Sequence, residues 1–78
     1  MKLDRITINS KRLNGQPCIR NLRLTVRRVL EILALYSNRS ELRMEYPELD
    51  EEDIRQALFY ASTHLADKIV DLEYEAAA

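Results

Sequence analysis

The chain has 78 residues, of which 12 are basic and 13 acidic, and its single cysteine is Cys18. A chain this short forms one domain and buries only roughly 60% of its unfolded surface, so its core is small. One cysteine excludes an internal disulfide and favours a reducing compartment. Cys18 is therefore expected to be a small buried residue. Oligomerisation is the remaining way to add buried surface, so we expect a homodimer.

Apolar patterning argues against any membrane association. The longest apolar stretch, from Val29 to Tyr36, is interrupted by Glu31 and is too short to cross a bilayer. The N-terminal residues also lack the apolar run of a signal peptide. These two features predict a cytoplasmic protein with no membrane partner.

Charge is divided unequally between the two halves of the chain. Residues 1–40 carry nine basic and two acidic residues, a net charge of +7, whereas residues 41–78 carry three basic and eleven acidic residues, a net charge of −8. Such a division fits either a polyanion facing the basic half or head-to-tail pairing of subunits, the basic half of one against the acidic half of the next. A third interpretation is that both faces are simply solvated.

The first 24 residues are predicted to form a β-prone basic segment, called here the N-terminal arm. Asn14-Gly15 is a strong turn dipeptide because both residues tolerate positive φ. Pro17 lacks an N–H group, so a strand that contains it begins there or lies at a sheet edge. Alternating apolar and polar residues predict two short strands or an extended arm, over residues 6–8 and 18–24.

Two helices should follow the arm. Thr25 suits the N-cap of the first helix, and its apolar residues have the i, i+3, i+4, i+7 spacing of a buried face: Val26, Val29, Leu30 and Leu33. The second helix is short, with Asn38 or Ser40 as its cap. It ends before Pro47, because the residue preceding proline resists helical angles. Its inward residues are predicted to be Leu42 and Tyr46.

A third helix begins after Asp50, with Asp53 completing a variant of the capping box. The four acids at 50–53 suit the positive end of the helix dipole. The predicted apolar stripe consists of Ile54, Ala57, Leu58, Ala61 and Leu65. We therefore predict a single domain over 1–78 with a mainly α (α+β) fold. A helix-turn-helix-like bundle of three helices fills 25–72, the N-terminal arm or β-hairpin precedes it, and residues 73–78 form a frayed tail.

Two segments carry a resemblance to a known family. Gly15–Val26 is similar to the pattern Gly-x-Pro-x-Ile-Arg-Gly-Thr-Arg-x-x-Val. Tyr46–Ala61 is similar to Tyr-Pro-x-Leu-x-x-Glu-Asp-Ile-x-x-Ala-Leu-x-Tyr-Ala. Over about residues 6–61 the chain thus resembles the bacterial family named domain of unknown function 433. The resemblance implies a VapB-type antitoxin that neutralises a PIN-like ribonuclease and binds its own operator.

The chain departs from the family pattern at three places. Asn21-Leu22 replaces Gly-Thr, which removes a hydroxyl but leaves an asparagine able to adopt a left-handed turn. Tyr36 replaces the glycine that usually follows the first helix, so this junction has to turn without the most permissive residue. The usual Ser-Pro-Glu-Glu start of the second helix becomes Asn-Arg-Ser-Glu at residues 38–41.

The residue types favour the N-terminal arm over the third helix for DNA binding. In a helix-turn-helix, the first residues of the second helix of the motif face base edges, and here they are Glu51, Glu52 and Asp53. Phosphates repel these carboxylates, and Arg55 can pair with Glu51 at i, i+4. The predicted DNA-binding residues are instead Arg20, Arg23, Arg27 and Arg28.

The position of two of these arginines needs an explanation. Arg27 and Arg28 lie in the first turn of a helix, where the dipole disfavours cations, so an external anion would account for them. The alternative is that Arg27 pairs with Glu31 at i, i+4 and the others are solvated. A dimer would double the basic patch and favour binding.

Catalysis has little support in the sequence. His64 is the only histidine, no nucleophile and base are spaced as a known motif, and the acids at 50–53 point to diverging helical faces. We expect no enzyme activity, cofactor or metal. The leading hypothesis is an antitoxin. The alternative is a protein-interaction or oligomerisation module that does not bind DNA, in which the basic half of one subunit (residues 1–40, +7) docks on the acidic half of another (residues 41–78, −8).

Overall fold

The computed structural model describes residues 2–11 and 13–65. In chain order they form strand β1 (Ile6–Thr7), a 3-10 turn (Leu13–Gly15), strand β2 (Cys18–Ile19) and helices α1 (Val26–Leu35), α2 (Arg39–Glu45) and α3 (Glu51–Thr63). The predicted fold of three helices with a short N-terminal hairpin is confirmed. None of these helices has the length and apolar character that a membrane span requires. The predicted end of the core, 66–72, and the tail, 73–78, lie outside the described residues.

The hairpin is antiparallel, with Ile6 opposite Ile19. Its turn contains Asn14 and Gly15 at φ values of 58° and 74°, so the predicted turn dipeptide is confirmed. Cys18 is buried, as predicted, and its thiol donates to the carbonyl oxygen of Gln16 at 3.1 Å.

The segment after β2 is a tight loop, so the strand predicted there is wrong beyond Ile19. Arg20 and Arg23 both have left-handed backbone angles, with φ of 47° and 59°; the residue expected to turn this way, Asn21, does not. Ile19 N–H donates to the carbonyl oxygen of Leu24 at 2.8 Å, which closes the loop. Apolar residues alternate here as in a strand, but the left-handed angles at Arg20 and Arg23 reverse the chain, while Leu22 and Leu24 pack against the core.

A single small core joins the hairpin to the helices. It consists of Ile19, Val26, Val29, Ile32, Leu42, Leu49, Ile54 and Ala57. The inward position of Leu42 is confirmed, and Tyr46 packs against this core. Leu30 and Leu33 are only half-buried, because Ile32 takes the central place on α1.

The buried face of α3 differs from the predicted stripe. Ile54 and Ala57 are buried as predicted, but Leu58 and Leu65 are 47% and 75% exposed. Two polar residues, Asp53 and Gln56, occupy the remaining buried positions. The inward face is therefore rotated toward the polar side chains that contact the hairpin.

The predicted helix caps are confirmed. Thr25 and Asn38 cap α1 and α2 by accepting hydrogen bonds from backbone N–H groups of their first turns. Asp50 accepts from the Asp53 N–H at 2.8 Å, and the Asp53 carboxylate accepts from the Asp50 N–H at 3.1 Å, which completes the capping box. Tyr36 ends α1 with extended backbone, at φ −111°, so no glycine is required at that junction.

A buried carboxylate fastens the hairpin to the start of α3. The Asp53 side chain is fully buried and accepts from Arg5 Nη1 at 2.7 Å and Arg20 Nε at 2.9 Å. Arg5 also donates to Asp50 at 2.9 Å, and Arg20 donates to the carbonyl oxygen of Glu48 at 2.9 Å. Because Arg5 precedes β1 and Arg20 follows β2, both ends of the hairpin meet α3 here. Arg5, Arg20, Asp50 and Asp53 are called the Asp53 cluster.

Gln56 extends this contact by one helical turn. Its side-chain carbonyl oxygen accepts from the Arg5 N–H at 2.8 Å, and its amide donates to Asp4 at 2.8 Å and to Glu52 at 2.7 Å. Across residues 2–11 and 13–65, every buried side-chain nitrogen and oxygen has a hydrogen-bond partner. The polar contact between hairpin and α3 is therefore satisfied, which is the condition for burying such groups at little cost.

The Asp53 cluster links stability to pH. Burial by itself raises the pKa of Asp53, but hydrogen bonds from Arg20 and Arg5 outweigh it, so the pKa lies below its ordinary value. The pKa of Asp50 is also lowered, chiefly by the Asp53 N–H and then by Arg5. A carboxyl whose pKa is lower in the folded state stabilises the fold above its unfolded pKa of about 3.9. That contribution is lost as pH falls toward the folded pKa.

Asp53→Asn should destabilise the fold by about 3 kcal/mol or more, because it leaves two arginines facing a buried neutral side chain. Urea unfolding at pH 7 measures this loss. The control is Glu45→Gln, which removes an exposed carboxylate that has no ion pair with a described residue; it should change stability by no more than about 0.5 kcal/mol. The variant should also lose part of the fall in stability below about pH 4. Equal stability of the two variants would contradict the role given to Asp53.

The left-handed angle at Arg23 gives a second stability prediction. At φ 59°, a side chain with a β-carbon is strained and glycine is not, so Arg23→Gly should be more stable than Arg23→Ala by about 1 kcal/mol. Arg55 lies on the exposed side of α3, where the order should reverse by about the same amount. Chemical denaturation of Arg23→Gly, Arg23→Ala, Arg55→Gly and Arg55→Ala measures the free energy of unfolding of each variant. It shows whether glycine is the more stable substitution at position 23 and alanine at position 55. A more stable Arg23→Ala would show that this loop has ordinary backbone angles.

Candidate functional site

The described arginines fall into two groups according to whether they meet a carboxylate. Six form ion pairs within the chain: Arg5, Arg20, Arg28, Arg39, Arg43 and Arg55. Arg23 and Arg27 form no ion pair with any residue that the structure describes, and both are exposed. Among the described arginines, Arg23 and Arg27 are therefore the two that remain available to an outside anion.

The four arginines predicted to bind DNA have different environments. Arg20 belongs to the Asp53 cluster, where its Nε and Nη2 groups are used. Arg28 pairs with Glu31 at 3.3 Å and lies 3.5 Å from the Tyr46 hydroxyl. Arg23 lies in the loop between β2 and α1, and Arg27 lies in the first turn of α1. Of the four, Arg23 and Arg27, on either side of the α1 N-cap, are the two exposed arginines without an ion pair to a described residue.

The predicted ion pair between Arg27 and Glu31 is wrong, because Glu31 pairs with Arg28 instead. Glu31 contacts Arg28, three residues earlier, rather than Arg27, four residues earlier. Both spacings bring side chains together on a helix, and the Arg28 guanidinium also lies 3.5 Å from the Tyr46 hydroxyl. Arg27 is consequently left without a carboxylate partner in the part of the chain that the structure describes.

Carboxylates at the start of α3 are engaged within the chain. Glu51 contacts Arg39 at 2.9 Å and Arg43 at 3.4 Å. Glu52 contacts Arg55 at 3.3 Å, which replaces the expected Arg55–Glu51 pair. This end of α3 offers a phosphate no unpaired arginine, and its acidic side chains would repel one.

An apolar groove runs along the exposed side of α3. Leu58 and Phe59 are 47% and 42% exposed, and Ile54 lies at their base. Arg39, Glu51 and Arg55 complete the rim of an open groove of about 610 Å³. Together these six residues are called the α3 groove. Adjacent exposed apolar side chains, one of them aromatic, are typical of surfaces that contact another protein.

His64, the histidine considered as a catalytic base, packs against a neighbouring aromatic ring. The His64 ring stacks on the half-buried Tyr60 ring, with centroids 4.1 Å apart and planes 20° apart, and its Nδ1 lies 3.0 Å from the Tyr60 carbonyl oxygen. Within the described part of the chain, no group of three or more His, Cys, Asp or Glu side chains is arranged to hold a metal ion.

Comparison with known proteins identifies the family of the chain. No curated protein and no solved structure matches it. The family model described as "Protein of unknown function (DUF433)" matches residues 6–61, a span that runs from β1 into the last turn of α3 and contains both sequence motifs. The chain therefore belongs to the family of domain of unknown function 433.

Proposed function

We propose that the chain is a small cytoplasmic antitoxin of a type II toxin-antitoxin system that acts as a homodimer. In this proposal it neutralises a PIN-like ribonuclease and binds operator DNA through its basic surface. The observation that carries the DNA-binding part is the exposure of Arg23 and Arg27 without a carboxylate partner among the described residues, while the other six described arginines are paired.

Free guanidinium groups are suited to phosphate oxygens, which accept charge-assisted hydrogen bonds from them. The α1 N-terminus adds a second attraction, because its first N–H groups and the positive end of its dipole favour an anion. The same dipole disfavours Arg27 in the absence of an anion. A phosphate placed over this end of α1 would meet favourable charge from both the helix and the arginine.

The α3 groove supports the second part of the proposal, the contact with a ribonuclease. A monomer leaves Leu58 and Phe59 partly exposed, and large apolar side chains of this kind commonly anchor protein interfaces. The rim of the groove carries positive charge from Arg39 and Arg55 and negative charge from Glu51. Such a rim can align a protein partner while the apolar centre is removed from water.

The alternative is an interaction module that never binds DNA, in which opposite charges pair between subunits. Ion pairs within one chain already use Arg5 and Arg20 with Asp53, and Arg39 and Arg43 with Glu51. Less charge is therefore left for a second subunit than the totals of +7 and −8 suggest. This reduction favours the antitoxin proposal over the module.

The DNA-binding part predicts that the double variant Arg23→Ala/Arg27→Ala loses affinity for a labelled duplex from upstream of the gene. Each lost phosphate contact should reduce the slope of log K against log salt concentration by about 1, so the double variant should lose about 2. Titrations from low to moderate salt measure both affinity and slope.

The matched control for this experiment is Arg43→Ala/Arg55→Ala, which removes the same charge from arginines that are already paired. It should keep most of the affinity. Equal losses in the two double variants would mean that total charge alone drives the binding. Absence of binding by the unaltered protein would remove DNA binding from the proposal.

The ribonuclease-binding part predicts that Leu58→Ser/Phe59→Ser abolishes the complex with a PIN-like nuclease from the neighbouring gene, which is the partner that this proposal requires. Co-expression should then no longer rescue growth, because the apolar centre of the contact is lost. The control is Leu35→Ser/Met44→Ser, which alters two exposed apolar residues outside the α3 groove and should leave rescue intact. If the unaltered protein neither forms a complex nor rescues growth, the antitoxin proposal is wrong.

A further inference from the structure

We infer that a cleft beside the hairpin is a binding site for a phosphate group. The inference deepens the proposed function and rests on it, since it assigns one backbone phosphate of operator DNA to a specific place. The cleft has a volume of about 410 Å³ and lies between the hairpin and the loop that contains Arg23. It is called the hairpin cleft.

Hydrogen-bond donors line the hairpin cleft. Arg23 contributes an exposed guanidinium, and Ser10 contributes a hydroxyl that has no partner among the described residues. Asn9 also lines the cleft; its Oδ1 accepts from the Lys11 N–H at 2.9 Å, so its amide NH₂ group is the part available as a donor. One cationic and two neutral donors suit the oxygens of a phosphate.

Negative charge is absent from the residues that line this cleft. None of its nine lining residues is acidic, although 13 of the 78 residues of the chain are. Two other surface grooves each include a carboxylate, Glu51 in the α3 groove and Glu31 in a groove beside α1. The one acidic side chain that Arg20 meets, Asp53, is fully buried. Of these three grooves, the hairpin cleft is therefore the one whose lining repels an anion least.

Backbone geometry gives an independent reason to connect Arg23 with a ligand. Its φ of 59° is strained for a residue with a β-carbon, and no described contact of its side chain offsets the strain. Glycine would adopt this angle freely, so the fold alone does not require arginine here. Strained residues of this kind concentrate at ligand sites, and phosphate binding by the guanidinium would account for arginine at this position.

Titration with inorganic phosphate at neutral pH, at ionic strength matched with NaCl, tests the inference. Backbone amide spectra should show saturable shifts at residues 9–11 and 21–23. Ser10→Leu, which fills the cleft and keeps both free arginines, should weaken phosphate binding by about tenfold or more, while Ser37→Leu should leave it unchanged. Ser37 is an exposed serine outside the cleft.

Arg23→Gly guards against loss of folding, because it should bind phosphate weakly while remaining at least as stable as Arg23→Ala. Arg27→Ala removes a free arginine that does not line the cleft. It should weaken binding to the upstream duplex and leave binding of inorganic phosphate unchanged. Ser10→Leu should reduce the salt slope for the duplex by about 1, as expected for one lost phosphate contact.

The outcomes separate this inference from the proposed function. If duplex binding depends on Arg23 and Arg27 but phosphate causes no cleft shifts and Ser10→Leu has no effect, the cleft inference is overturned and DNA binding stands. If phosphate binds in the cleft and the duplex does not bind, the site takes free phosphate and the DNA proposal fails. If neither binds, both are wrong.

Discussion

The buried carboxylate of Asp53 is the interaction on which the rest of the structure depends. The hairpin has only two residues in each strand, and strands this short are not stable alone. Arg5 and Arg20, at the two ends of the hairpin, both donate to Asp53, and its capping box with Asp50 begins α3. One side chain thereby sets the position of the hairpin and the start of the third helix.

The same carboxylate removes Arg5 and Arg20 from the positive charges that are available to an outside anion. Arg20 is close to Arg23 in sequence, yet it serves the fold because Asp53 lies within reach of its guanidinium. Arg23 and Arg27 have no such partner among the described residues. Among the described arginines of residues 1–40, the unpaired ones are therefore fewer than the composition indicates, and they lie in the loop before α1 and in the first turn of that helix.

Local features of the fold could be predicted from the sequence, and features that depend on distant contacts could not. The Asn14-Gly15 turn and the caps at Thr25 and Asp50 depend on residues close in sequence. The partner of Arg20 lies 33 positions away, so no periodicity reveals it. The exposure of Leu58 has the same origin, because Asp53 and Gln56 face the hairpin in place of an apolar residue. One sequence signal points to the contact between the hairpin and α3. It is an arginine at each end of a β-prone hairpin together with an acidic residue at the third position of a later helix.

The central claim is that the Asp53 cluster keeps Arg5 and Arg20 occupied while Arg23 and Arg27 bind phosphate. The side-chain Nε–Hε signals of the arginines test it most directly, recorded before and after addition of the upstream duplex. The Arg23 and Arg27 signals should shift and become protected from exchange, while the signal of Arg20, whose Nε donates to Asp53, is protected beforehand and stays in place. Shifts confined to Arg20 or to Arg55 would contradict it, because they would place the DNA on the cluster or on α3.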